Sequence, residues 1–245
     1  MSKTENNTEK VASLKRKFSK EHTWSAYLFL LPSVVIFVTF VAFPVLFTLY
    51  ISFHEWPLLS APGAERPFMG IGNYQRVLGS EEFQKAFWNT VYFVVGSVPT
   101  GLVVSLALAM LLNTGLKGMN FYRTAYFTPV VTAGVVVGLI WRWVLNGDYG
   151  LLNYALEWIG MQPVPWLDDT KYAMPSIIMA SIWRGVGWSM VIFLAGLQGI
   201  PDHLYEAATL DGAGAWRQFR HVTFPLLFPS IFFVLVMSVI GSFQV

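Results

Sequence analysis

The side chains of this 245-residue chain that could do chemistry are few, and their types exclude most reactions. There is no cysteine, hence no disulfide, thiolate metal site or thiol nucleophile. His22, His54, His203 and His221 are scattered without ligand spacing. No GxxxxGK[ST] phosphate loop occurs. Gly70-Ile71-Gly72 begins like a dinucleotide fingerprint, but Gln75 stands where the third glycine belongs. No apolar run carries paired carboxylates, so neither acid–base catalysis nor an ion-coupling site is indicated. What remains suits binding. Ser181, Gly185 and Trp188 are spaced four and then three apart, as on one helix face, and Ser238 and Ser242 are four apart. A ring face beside hydroxyls suits a polyhydroxylated solute such as a sugar, although Ser and Gly in membrane helices also serve packing. Arg184 lies inside an apolar run, where a charge is costly and is a functional hypothesis by default. It either pairs with helix carbonyls or another chain, or takes part in a path.

The elements that must position these residues are membrane spans. Apolar residues make up 55% of the chain and charged residues 12%, about half the usual charged share of a soluble domain. The net charge of +2 is too small to suggest nucleic-acid binding. A bilayer core needs about 20 helical residues, and five runs meet that: Trp24–Phe53, Trp88–Leu112, Phe121–Leu145, Ala173–Leu197 and Phe224–Phe243. Pro32 and Pro44 are expected to kink the first or mark its ends. Gly134 and Gly138 form a small-xxx-small pair that would allow close helix approach, if it is more than chance. An all-α transmembrane bundle follows, with a basic tail over residues 1–23 and a transmembrane domain over 24–245. The chain ends directly after the fifth run.

Charge sets the orientation. With the N-terminus inside, inner segments hold Lys3, Lys10, Lys15, Arg16, Lys17, Lys20, Lys117, Arg123, Arg217 and Arg220; outer segments hold Arg66, Arg76, Lys85, Arg142 and Lys171. Ten against five favours a cytoplasmic N-terminus. Residues 198–225 then form an inner loop. Asp202 suits the positive end of a helix dipole, and Pro201 a first turn. Leu204, Tyr205 and Ala208 share one face. Gly212 and Gly214 break the helix, and a second short helix is expected with Trp216, Phe219 and Val222 on one stripe before Pro225 returns the chain to the membrane.

That loop resembles the signature of importer-type ABC permeases: a Glu-Ala-Ala triplet, three residues, glycine, nine residues, an aliphatic residue, one residue, then Leu-Pro. Glu206, Ala207, Ala208, Gly212, Val222 and Pro225 fall in place, and Phe224 replaces the usual leucine. Phe121 through Pro129, Trp141-Arg142-Trp143, Gly150-Leu151-Leu152-Asn153 and the Ile200-Pro201 lead are similar to the carbohydrate-uptake branch, which covers maltose, glycerol-phosphate and multiple-sugar importers. The resemblance runs from about Trp24 to the end. Members of that family carry six or more spans in this core, so the resemblance implies a sixth span beyond Val245.

The resemblance implies a subunit without its own ATPase site or cofactor, embedded in a bacterial or archaeal cell membrane. Its implied partners are a second permease, an ATP-binding cassette ATPase dimer that uses the ATP, an extracellular solute-binding protein and membrane lipid. Glu206, Ala207, Ala208, Gly212 and Pro225 would couple the ATPase to the spans. Counted from Glu206, the faces holding Ser181, Arg184, Gly185, Trp188, Ser238 and Ser242 fall where maltose-type permeases place pocket residues. Alternatives are an ABC permease for glycerol phosphate, a polyamine or phosphate, or an ion-driven carrier.

Overall fold

The computed structural model describes residues 24–56, 65–114 and 118–244. The basic tail, Lys117 and Val245 lie outside them. The described residues are nearly all helical: α1 (Trp24–Ser52), α2 (Gly72–Leu78), α3 (Glu81–Leu112), α4 (Met119–Val131), α5 (Gly134–Val144), α6 (Leu151–Trp158), α7 (Thr170–Gln198), α8 (Asp202–Leu210) and α9 (Ala215–Ser242). Four of these, α1, α3, α7 and α9, are long and apolar enough to cross a membrane, and α4 with α5 would make a fifth if they form one broken span.

Contacts divide the chain into two compact units, residues 1–84 and 85–245. In the first, no residue of α1 is buried. Its C-terminal end is tied to α2 by Asn73, whose Nδ2 donates to the carbonyls of Ser52 (3.0 Å) and His54 (2.9 Å). A single antiparallel bridge joins His54 to Phe68, and the Arg66 guanidinium stacks 3.5 Å from the centre of the Trp56 ring.

The second unit has its core where α3, α7 and α9 meet. Ala109, Leu112, Met190, Phe193, Leu194, Leu197, Leu227 and Val234 are buried there. Small residues set how closely the helices approach. A Cβ on Gly187 would overlap the Tyr126 carbonyl of α4, and one on Gly196 would fall 2.6 Å from Leu227. The close approach of α4 to α7 therefore rests on Gly187, not on the Gly134/Gly138 pair. A Cβ on Gly138 would meet nothing within 4 Å.

Three expectations change in physical detail. The third span is not one rod: α4 and α5 are bent by 101°. Pro129 removes a donor near the end of α4, and Thr132 (φ −77°, ψ 136°) and Ala133 (φ −56°, ψ 133°) are extended. The second inner helix is not separate either, because Ala215 runs unbroken through Pro225 into the last span. Pro32 and Pro44 likewise lie inside α1 rather than at its ends. The chain absorbs Pro44 and Pro225 in the same way. Each follows one wide π turn, Val38–Ala42 and Phe219–Thr223, closed by the N–H of the phenylalanine before it. A proline ring would press on the carbonyl four residues back in a regular helix, and the wider turn moves that carbonyl aside.

The loop over residues 145–169 is held by one buried side chain. The Asn153 amide donates to the carbonyls of Gly147 (2.8 Å) and Val164 (3.0 Å), while its oxygen accepts from Val164 N–H (3.0 Å) and Trp166 Nε1 (2.8 Å). Asn153 is 2% exposed, and both its donors and its acceptor are used. Gly150 is required at the start of α6, since a Cβ there would overlap the Asn146 backbone. These two positions account for the glycine and asparagine of the Gly150–Asn153 segment.

Candidate functional site: a central cleft and a lever at one end

A cleft of about 450 Å³ opens between α3, α7 and α9. Ser181, Arg184, Gly185 and Trp188 line it from α7, and Ser238 and Ser242 from α9, so one cavity brings together all six residues marked as a path. Sequence reasoning missed the third wall. Ser97, Gly101 and Ser105 of α3 also face the cleft. The only signal for them was their spacing of four, which many spans share. The hydroxyls of Ser97 and Ser105 are spent on carbonyls of their own helix, those of Phe93 and Gly101, each at 2.6 Å. Among the described residues, those of Ser181, Ser238 and Ser242 have no hydrogen-bond partner, so their donors remain available. One glycine from each wall, Gly101, Gly185 and Gly241, has nothing within 4 Å of its Cβ position. The absence of those side chains leaves room for a solute. The Trp188 ring lies 6.2 Å from Phe233 at a tilt of 34°, which gives the cleft an aromatic edge.

The second part of the site lies beyond α7. Asp202 opens α8 in the first turn, with Pro201 one residue earlier, at the cap. Leu204 and Tyr205 pack against the core shared by α3, α7 and α9, and Ala208 is half-buried beside them. Glu206 and Ala207 face outward. The Glu-Ala-Ala triplet is thus divided between the two faces.

Gly212 ends the helix in the left-handed region (φ +75°), where a side chain is strained. Two hydrogen bonds close the turn: Gly212 N–H to the Thr209 carbonyl (3.0 Å) and Ala213 N–H to the Ala208 carbonyl (2.9 Å). This is the Schellman arrangement of a glycine-terminated helix.

Side chains then fasten the turn to the foot of α9. Tyr205 Oη and Thr223 Oγ1 are 2.9 Å apart, and Gln218 Nε2 donates to Thr209 Oγ1 (2.9 Å) and the Ala213 carbonyl (3.1 Å). None of these three links was visible in the sequence, because each pairs residues that only the turn brings together. Outside this braced turn stand Leu210, 89% exposed, and Trp216, 70% exposed. Glu206 is exposed as well.

The element can therefore act as a lever. Leu204 and Tyr205 tie α8 to the helix core, and Tyr205 and Thr209 tie it to Thr223 and Gln218 of α9, which carries Ser238 and Ser242. The described residues hold no cluster of His, Cys, Asp or Glu that could take a metal ion.

The family model for the inner-membrane component of binding-protein-dependent transport systems matches residues 85–244. The chain belongs to this family. The match begins where the second compact unit begins, and it includes both the cleft and the lever. This permease component is similar to the trehalose/maltose transport system permease of Thermococcus litoralis, at 35% identity over 89% of this chain and 73% of the relative. It is also similar to the arabinooligosaccharides transport system permease of Bacillus subtilis, at 35% identity over 89% of this chain and 68% of that one. Among solved structures it resembles a bacterial ABC transporter that imports the acidic polysaccharide alginate. The TM-score is 0.76 at 26% identity, over 91% of this chain and 75% of the other. A second structure of the bacterial alginate transporter, in complex with a periplasmic protein holding an alginate pentasaccharide, also matches with a TM-score of 0.76. The permease is a multi-pass membrane transport component, not an enzyme.

Proposed function

We propose that this permease subunit carries a sugar or oligosaccharide inward as half of the pathway of an ATP-binding cassette importer. The observation that carries the reading is the cleft of about 450 Å³ between α3, α7 and α9, walled by Trp188, free serine hydroxyls and three side-chain-free glycine positions. Its volume is in the range of small-ligand sites. An aromatic face with hydroxyls around it matches a sugar ring, which is apolar on its faces and hydroxylated at its edge. Kinship to trehalose/maltose and arabinooligosaccharide permeases supports the same class.

The mechanism follows from the lever. A second permease subunit would complete the pathway, an extracellular binding protein would deliver the solute, and an ATPase dimer would dock on Glu206, Leu210 and Trp216. Closure of that dimer on ATP would push α8, and the braced turn would pass the movement to α7 and α9, changing which side of the cleft is open. The chain needs no cofactor of its own for this. The orientation is N-terminus inside, with five crossings counting α4 and α5 as one, which puts α8 in the cytoplasm.

Uptake by the reconstituted importer tests the substrate class. ATP-dependent accumulation of an oligosaccharide, with none of a polyamine or inorganic phosphate, is expected. Accumulation of polyamine or phosphate alone would refute the reading. The cleft offers no carboxylate to hold a polyamine, and no acidic residue that an ion-driven carrier would use.

A further inference from the structure

Among the described residues, Arg184 is the only ionisable side chain that lines the cleft. It is the fifteenth of the 29 residues of α7, so the rise of a helix places it roughly 21 Å from either end. The guanidinium lies over Gly134 at the break between α4 and α5; a Cβ there would be 3.5–3.7 Å from its terminal atoms. Among the described residues it has no hydrogen bond and no ion pair, although the carbonyl-bearing end of α4 is close in sequence to Gly134. The remaining walls are serine, glycine and apolar side chains. Arg184 is exposed and faces an otherwise uncharged cleft from the middle of an apolar helix, a position where a charge ordinarily requires a counter-charge.

We infer that the counter-charge is supplied by the solute, and that Arg184 selects a sugar bearing a carboxylate, of the hexuronate class. This rests on the sugar reading above and narrows it. The planar guanidinium fork matches a planar carboxylate in bidentate fashion, which an ammonium group does not. The neighbours on the same helix face suit the rest of such a ring. Ser181 lies three residues before Arg184 and Trp188 four after, so a carboxylate on the arginine leaves a pyranose ring within reach of both the indole and a hydroxyl. Ser238 and Ser242 supply free donors from the opposite wall. A neutral sugar entering the same cleft would displace water from the guanidinium and give no charge in return.

The test uses the assembled importer in proteoliposomes, supplied with a matched pair of oligosaccharides: a neutral hexose oligomer and the hexuronate oligomer of the same linkage and length. Wild-type protein is expected to favour the uronate. Arg184→Gln should lower the ratio of uronate to neutral uptake by about tenfold or more, the scale of one lost charge-assisted hydrogen bond. Arg184→Lys should fall between the two, because it keeps the charge and loses the fork. An unchanged ratio in Arg184→Gln at normal subunit assembly would overturn the inference. Equal loss of both sugars, with loss of the second permease from the complex, would also overturn it and make the arginine a structural contact. Wild-type uptake of the neutral oligomer alone would refute the acidic class and leave the sugar reading standing. Uptake of neither oligomer, with uptake of a polyamine or inorganic phosphate, would refute both.

Discussion

Gly185 has Arg184 and Trp188 on the same face of α7 and nothing within 4 Å of the place a Cβ would take. Space is all it contributes, so filling that space separates a path from a packing seam. Gly185→Phe is expected to insert and assemble normally while reducing the maximal rate of uptake at least about tenfold, since a bulky ring would occupy part of the cleft without straining its walls. Unchanged uptake would remove α7 from the path. Gly187, two residues on, is the contrasting control: any side chain there strikes the Tyr126 carbonyl. Gly187→Leu is expected to lower the amount of folded protein, whatever the solute. The spacing of Ser181, Gly185 and Trp188 was legible in the sequence, because periodicity reports which residues share a face. Which glycine faces a void and which faces a backbone was not, because that depends on where α4 crosses α7.

At the scale of the element, the turn after α8 combines a glycine at φ +75° with three side-chain links to the foot of α9. Gly212→Ala would force a Cβ into the left-handed region at a cost of about 1 kcal/mol, and no neighbour would obstruct it. Gly212→Pro would also remove the N–H that reaches Thr209, and its ring cannot adopt positive φ. The expected order of ATP-driven uptake is wild type, then alanine, then proline with little or none, while insertion is retained. Equal uptake in all three would mean the turn transmits nothing. The fixed spacing from Glu206 to Pro225 made this element legible. Its continuity with the last span was not: Pro225 reads locally as a helix start, and only the π turn before it lets one helix run through. The break between α4 and α5 was missed for the converse reason. Thr132 and Ala133 interrupt no hydrophobic pattern, so an apolar run of span length concealed a bend of 101°.

For the whole molecule, orientation depends on that bend. If α4 and α5 together cross the membrane once, four crossings separate the N-terminus from α8 and put them on the same side. If the pair enters and leaves on one face, three crossings separate them and put them on opposite sides. Because the native chain has no cysteine, single Leu210→Cys and Met161→Cys variants can decide which side of the membrane α8 occupies, with an impermeant thiol reagent applied to intact cells. Both side chains are exposed, at 89% and 54%. Labelling of the Met161→Cys variant alone is expected, and labelling of the Leu210→Cys variant alone would reverse the topology.

The proposed docking of an ATPase on the outward face of α8 joins these scales, and Glu206 offers the most direct test. It faces away from the core, so Glu206→Lys should leave insertion, folding and the α3–α7–α9 cleft intact while reversing the charge presented to the partner. The decisive measurement is co-purification of the ATPase subunits with this permease, together with ATP-driven uptake in the same preparation. The expected result is wild-type permease in the membrane with both readouts reduced at least about tenfold, the scale of a desolvated charge contact at an interface. Full ATPase recovery and full uptake from the lysine variant would contradict the coupling role.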